Sequence, residues 1–234
     1  MKCHFENIEE FFLVLNQANI NYLVLRNFEN LLEPKLYVDG HSDIDLLCES
    51  ARTIVELVDA RPIVPDRSKL QDDGIHYLIQ VAGQPVQLDL RQVGDGYYCT
   101  KWQKDLLERK VMNNGFYVMT DEDYFFTLAY HAILQKRSLS REYFIRLCNK
   151  ADELDLNVDE YSESGLLRLL ENHMREHGYR FTYSHDLMVP NRFGIVDGKL
   201  IDKDFILWLK HLGFDLRVTA IQLLVWLKHA LKLK

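Results

Sequence analysis

The segment Ser42-Asp43-Ile44-Asp45-Leu46-Leu47-Cys48 constrains this chain more than any other, because it sets two carboxylates into an otherwise apolar run. Residues two apart on a strand share a face, so Asp43 and Asp45 project together while Ile44 and Leu46 turn to the opposite side. Neighbouring carboxylates repel, and a fold retains them where a cation or a proton relieves the repulsion. Hard oxygen donors of this kind suit magnesium or manganese. A third acid stands in Gln87-Leu88-Asp89-Leu90-Arg91, where aliphatic and polar residues again alternate. If that strand neighbours 42–48, Asp43, Asp45 and Asp89 converge. Such a set can hold two ions about 3.5–4 Å apart, one activating an attacking hydroxyl and one neutralising charge on the leaving group. Asp89 is then also the candidate general base. An isolated Asp-x-Asp is more often a solvated edge or a turn, but the apolar context and the later strand-borne aspartate favour a site.

The surrounding elements follow from periodicity. Ile8, Phe11, Phe12, Leu15 and Ala18 recur at helical spacing behind Asn7, a good N-cap, which predicts a helix over 7–18. Residues 21–25 form a short apolar strand that opens onto Arg26-Asn27, and a loop over 28–41 contains Pro34 and Gly40. Ser50 caps a helix carrying Ile54, Val55, Leu57 and Val58, and strands over 75–81 and 86–93 flank the turn-rich Ala82-Gly83-Gln84-Pro85 as an antiparallel hairpin. Beyond residue 100 helical patterns dominate: 102–110, 120–136 behind Thr120, 140–154, 164–177, 202–212 and 215–232. A brief extended stretch at 116–119 and a small hairpin pairing 179–183 with 193–196 complete the expectation. The fold class is therefore α+β, with an N-terminal mixed-sheet domain over 1–118 and a mostly helical domain over 119–234.

Composition narrows the partners. The 234 residues are 47% hydrophobic and carry a net charge of -7, which supports a folded core and supplies no basic field for nucleic acid. Four cysteines, at 3, 48, 99 and 148, form no C-x-x-C pair, as expected in a reducing compartment. The N-terminal MKCHFENIEEFF lacks an apolar signal core and no stretch reaches about 18 uncharged apolar residues, so a cytoplasmic location is expected. Residues 216–234 hold Arg217, Lys228, Lys232 and Lys234 without an acid, beside abundant leucine and Trp226. Core packing with a solvated basic end is the commoner fate of such a helix. Weak contact with an anionic membrane surface, peripheral at the inner face, is the sharper alternative.

The order strand, polar loop, [ST]-Asp-h-Asp-h-h, helix, then h-h-Asp-h on a later strand resembles the DNA-polymerase-β-type nucleotidyltransferase superfamily, over about residues 20–93. More narrowly, Leu25-Arg26-Asn27-Phe28-Glu29-Asn30-Leu31 before Asp43-Ile44-Asp45-Leu46-Leu47, with Tyr130-His131-Ala132 downstream, resembles nucleotidyltransferases of bacterial surface-polysaccharide gene clusters. The resemblance implies that Asp43 and Asp45 are paired metal ligands, that Asp89 is the third carboxylate, and that a nucleoside triphosphate is the substrate. It also implies a sugar or polyol acceptor for a surface glycan. The superfamily usually places Gly-Ser or Gly-Gly after the first strand, where backbone amides approach the triphosphate, and this chain has Arg26-Asn27. Either these two side chains grip phosphate in place of the amides, or the site is degenerate.

Four further residues complete the candidate set. Ser42 is either a phosphate contact or ordinary turn chemistry. Arg91 shares a strand face with Asp89 and either meets substrate or forms a plain salt bridge. His131 and Lys136 lie on the helix begun at Thr120; each is either a packed or dipole-matched residue or a triphosphate contact from a closing helical domain. Two other readings compete with nucleotidyl transfer. A glycosyltransferase using Asp43-x-Asp45 is disfavoured because a single strand precedes the motif, too little chain for a nucleotide-binding βαβ region. A non-catalytic nucleotide-binding or regulatory module on the same fold stands as the alternative from a different class.

Overall fold

The computed structural model describes residues 4–29, 31–32, 43–63, 75–158 and 160–232. Ser42 and most of the loop 28–41 lie outside the described residues. In chain order the elements are β1 (His4–Phe5), α1 (Ile8–Gln17), β2 (Tyr22–Val24), β3 (Asp43–Cys48), α2 (Ala51–Val58), β4 (Arg61–Pro62), β5 (His76–Val81) and β6 (Gln84–Gln92). There follow α3 (Thr100–Arg109), β7 (Val111–Asn113), β8 (Phe116–Val118), α4 (Asp121–Leu134), α5 (Arg141–Glu153), α6 (Glu163–His177) and α7 (Phe205–Lys232). The architecture is α+β, as the periodicities imply.

The strands make one mixed sheet in the order β1-β5-β6-β3-β2-β8-β7, with β4 also pairing β5. At its centre β3 runs parallel to β6 and antiparallel to β2, while β2 runs parallel to β8. Alternation along each strand gives the sheet two different faces. Tyr22, Val24, Ile44, Leu46, Val86, Leu88 and Leu90 point to one apolar cluster with Phe11, Phe12 and Leu15 of α1 and Ile54 and Val58 of α2. Leu23, Leu25 and Leu47 point the other way, into a second cluster that runs through Trp102 of α3 and the buried α4 to Leu170 of α6. The acidic positions of β3 and β6 belong to this second face. The expected boundary at 118/119 falls between β8 and α4, and the second cluster continues across it.

Local chemistry explains where the elements begin and turn. Asn7, Ser50, Thr120, Ser140 and Ser162 each accept a backbone N–H three residues on, closing the first turns of α1, α2, α4, α5 and α6. Ala82 and Gly83 both have positive φ, so β5 and β6 are joined by a primed two-residue turn, shorter than the four residues expected, and Pro85 lies within β6 opposite Gln80. Asn114-Gly115 repeats that geometry between β7 and β8.

Two expectations are corrected. The hairpin anticipated for 179–183 with 193–196 does not form: Phe193–Ile195 is a single 3-10 turn, and Phe181 instead bridges Ile201. Pro190-Asn191 therefore marks a loop, with Arg192 donating its backbone N–H to the Leu134 carbonyl. The helices expected at 202–212 and 215–232 are one continuous α7 of 28 residues. Gly213 costs such a helix roughly 1 kcal/mol without ending it, and neither proline nor a capping sequence interrupts the run.

The second cluster contains a titratable group with no polar relief. His173 of α6 lies flat on Phe126, ring centroids 3.7 Å apart, and its Nε2 has no hydrogen-bond partner among the described residues. Burial, then the neighbouring His177, pushes its pKa down to about 3. Above the unfolded value near 6.5 both states are neutral; below it the unfolded chain binds a proton that the folded chain refuses. Stability is expected to fall by up to ~1.4 kcal/mol per pH unit between about 6.5 and 3, read from urea melts, and His173→Phe to flatten that slope. An unchanged slope in the variant would assign the acid sensitivity to other groups.

Candidate active site

The register of β3 against β6 builds the site. Asp45 is the direct partner of Asp89 across the parallel pair, and Asp43 stands opposite Gln87. Asp43, Asp45, Gln87, Asp89 and Arg91 therefore share the face that looks toward α4. Asp43 is exposed at the strand's start, whereas Asp45 and Asp89 are 5% and 8% exposed. Two carboxylates at neighbouring positions with so little water raise the cost of ionising both. Asp89 carries that cost: burial, and then the charge of Asp45, raise its pKa above the usual carboxylate range. Gln87 Nε2 donates to its Oδ1 at 2.8 Å, and His76 Nε2, directly across β5, lies 3.7 Å from its Oδ2. Both act in the opposite sense without cancelling the rise.

Asp45 is relieved differently. The Leu25 N–H donates to the Asp45 carbonyl at 2.9 Å, which delivers Arg26 from the end of β2 to the carboxylate, Nη2 to Oδ1 at 2.8 Å. Burial is the largest influence and disfavours the guanidinium charge, but Asp45, Tyr97 and Tyr98 together outweigh it and hold the Arg26 pKa well above its ordinary value. Arg26 Nη1 donates to the Tyr97 hydroxyl at 2.6 Å and lies 3.1 Å from His131 Nδ1. The same Nδ1 also lies 3.2 Å from the Tyr97 hydroxyl and 3.2 Å from Gln135 Oε1. Burial, then the positive charges of Arg26 and Lys136, drive the His131 pKa well below its usual value, so this histidine is neutral.

Asn27 follows Arg26 with φ 56, the left-handed region that glycine or asparagine adopts most readily. The loop then anchors on the helices. Phe28 packs edge-on to Tyr124 with centroids 5.0 Å apart, and Glu29 meets Arg146 Nη2 of α5 at 2.6 Å. Lys136 lies exposed two residues beyond α4. Partial burial and then Arg26 lower its pKa while Asp45 and Asp43 pull it up, which puts the ammonium within electrostatic reach of the aspartate pair.

Arg91 resolves toward the salt-bridge alternative. It is buried, its Nη2 is 3.0 Å from Asp186 Oδ2, and its guanidinium lies 4.3 Å over the Tyr97 ring. Its Nε and Nη1 have no hydrogen-bond partner among the described residues. Gly96, φ +72, precedes Tyr97 in tight contact with the chain at Tyr183: a Cβ there would run into the Tyr183 carbonyl oxygen. Tyr97 and Asp186 carry no signal in the sequence, since neither belongs to a motif and both come from distant segments. Gln87 and His76 had a local signal, the first two residues before Asp89 and the second on the adjoining strand.

Among the described residues no group of three or more His, Cys, Asp or Glu side chains stands close enough to hold a metal ion as arranged. Arg26 occupies one oxygen of Asp45. The donor chemistry still suits a divalent cation: three carboxylates on two adjoining strands, one of them with a raised pKa that nearby positive charge would lower.

No protein-family model matches this chain, and no curated protein matches it. Solved structures that resemble it include nucleotidyltransferase-like proteins. The solution structure of the antibiotic-resistance factor ANT(2'')-Ia is 11% identical, covers 73% of this chain and 91% of its own, and superposes with a TM-score of 0.37. An antigenic nucleotidyltransferase-like protein from Paracoccidioides brasiliensis is 15% identical over 72% of this chain and 86% of its own, with a TM-score of 0.39. JHP933 from Helicobacter pylori is 12% identical over 93% and 95%, with a TM-score of 0.38. Likeness at this level carries no argument about the site, which rests on the residues themselves.

Asp186→Ala strips a buried guanidinium of its counter-ion and is expected to cost about 3–5 kcal/mol in a urea melt. Removing both charges, as Asp186→Leu with Arg91→Met, should cost clearly less. Equal losses in the single and double variants would mean that the pair is not what holds this region.

Proposed function

We propose that this chain transfers a nucleotidyl group from a nucleoside triphosphate to a hydroxyl or phosphate acceptor with the help of magnesium or manganese. The observation that carries the reading is the pairing of Asp45 with Asp89 across β3 and β6, with Asp43 two residues away on the same face. Asp43, Asp45 and Asp89 would hold the cation, which when bound supplies charge neutralisation for the phosphates and the leaving pyrophosphate. Asp89, nearest of the three in role to the attacking oxygen, would accept the proton of an acceptor hydroxyl. That oxygen forms a bond to the α-phosphorus as the bond to the β-phosphate oxygen breaks, and pyrophosphate departs. Arg26, Asn27 and Lys136 would bind phosphate oxygens, Arg26 through its planar fork. His131, neutral and fixed by Arg26, orients that guanidinium rather than exchanging protons. The acceptor class follows the sequence resemblance: a sugar or polyol hydroxyl of a surface-glycan precursor.

One observation favours a second reading. The Arg26–Asp45 pair neutralises a carboxylate without any metal ion, as a nucleotide-binding module that has lost catalysis would. A thermal-shift panel separates the two: four ribonucleoside triphosphates, each with and without magnesium or manganese, on the wild type and on Asp43→Asn/Asp45→Asn. A rise of several degrees that needs the cation and vanishes in the variant supports transfer and names the base. A cation-independent rise supports the binding module, and no rise with any triphosphate sinks both. In the cation-free protein the Asp89 carboxyl is expected to titrate above an ordinary aspartate and to move down when magnesium is added, read from its side-chain carbon by NMR. A carboxyl that does not respond to the cation would remove Asp89 from the cation site.

A further inference from the structure

Up to Val218 the helix α7 sets one apolar face on the fold and leaves another in water; from Thr219 to Leu227 it is exposed all round, Ile221, Leu224 and Val225 included. On the inner side Leu207 and His211 are buried, His211 Nε2 sits 2.7 Å from the Ser184 carbonyl, and Phe214 and Val218 line a cavity of about 600 Å³ against Leu187 and Pro190. The outer side carries Phe205, Leu209, Leu216, Leu223 and Trp226, each between 45% and 66% exposed, and at its edge Leu212, 42% exposed, which also lines a cavity against Tyr183 and Phe193. Their spacing is four, three, four, seven and three residues, with Thr219 filling the one missing position of a 4-3 repeat. A stripe with that period over three heptads is the seam of a helix pair, because it keeps one line of side chains facing a partner helix along its length.

We infer that α7 joins two copies of this chain through its outer stripe. Together with the adjoining Trp208 and Leu227, the stripe leaves on the order of 800 Å² of apolar side chain in water, about what one partner gives to a standard-sized interface. The same stripe on both copies is self-complementary about a two-fold axis, so one surface meets the whole requirement. The bordering positions fit a helix partner better than a lipid surface. They are Ile206, Trp208, Gly213, Asp215, Ala220 and Gln222, none cationic and one acidic. Lys210 and Arg217 lie further round the helix. A helix bound to anionic lipid sets its cations beside the apolar stripe.

The test is the mass of the full chain in solution. Sedimentation velocity and light scattering across a dilution series are expected to give twice the chain mass, falling to a single chain in Leu216→Asp/Leu223→Asp. Both substitutions point away from the body, and far-ultraviolet circular dichroism checks that the helical content persists. A wild type that is monomeric throughout overturns the inference whatever the variant does. A wild type that is monomeric alone but sediments with phosphatidylserine-containing vesicles overturns it in favour of a lipid surface. A double variant that keeps its helices and stays dimeric also overturns it, since the contact then lies elsewhere.

Discussion

The placement of Asp45 beside Asp89 on two parallel strands organises the rest of this molecule. Backbones at that separation, about 4.8 Å, bring two charges close enough to repel by roughly 3–4 kcal/mol at an effective dielectric near 20. The chain answers with asymmetry. Asp45 receives a guanidinium from the neighbouring β2, whereas Asp89 receives a glutamine and an imidazole at 3.7 Å and is left readier to take a proton than an ordinary aspartate. Identical side chains in register thus meet different partners, set by what each neighbouring strand supplies.

The same charges decide how the helices sit on the sheet. Most of that interface is apolar, and dispersion alone would let α4 slide along it. Arg26 fixes the position by bonding at once to Asp45 of the sheet and Tyr97 of the connecting loop, next to His131 of α4. Gln135 adds a bond from its Nε2 to the Tyr97 carbonyl at 2.8 Å, and Arg91 ties β6 to Asp186, nearly a hundred residues on. These bonds tolerate little displacement, so a small polar layer gives a large apolar contact a single register. Gly96 belongs to the same arrangement, since only a residue without a side chain lets the loop meet the backbone at Tyr183 and still present Tyr97 to both arginines.

What was legible in the sequence was whatever depends on period and on short-range chemistry. The caps at Asn7, Ser50 and Thr120, the alternation of β3 and β6, and the common face of Asp43, Asp45 and Asp89 all follow from neighbours within a few residues. The β7–β8 hairpin was equally local, since Asn114-Gly115 is a strong turn signal, but its strands of three residues are too short for alternation to register. The continuity of α7 was hidden because Gly213 reads as a stop, while the apolar residues on both sides of it favour continuation. Tyr97 and Asp186 were not legible at all. Their partners are set by the packing of α4 and of the 184–188 turn on the sheet, and no local pattern distinguishes Asp186 from any other loop aspartate.

The Arg26-Asn27 pair draws these threads together. Asn27 takes the left-handed conformation that a glycine adopts most readily, and beside it Arg26 brings a positive charge to the end of β2. Arg26 is committed to Asp45, and it can turn to a triphosphate only if another positive charge replaces it there, because Asp45 left alone in a nearly dry site is costly. Under the proposed reading, cation and triphosphate are therefore coupled: each makes room for the other, and neither exchange is favourable alone. On that reading the phosphate site would open only when charge arrives at Asp43 and Asp45, which backbone amides, having no prior partner, would not require.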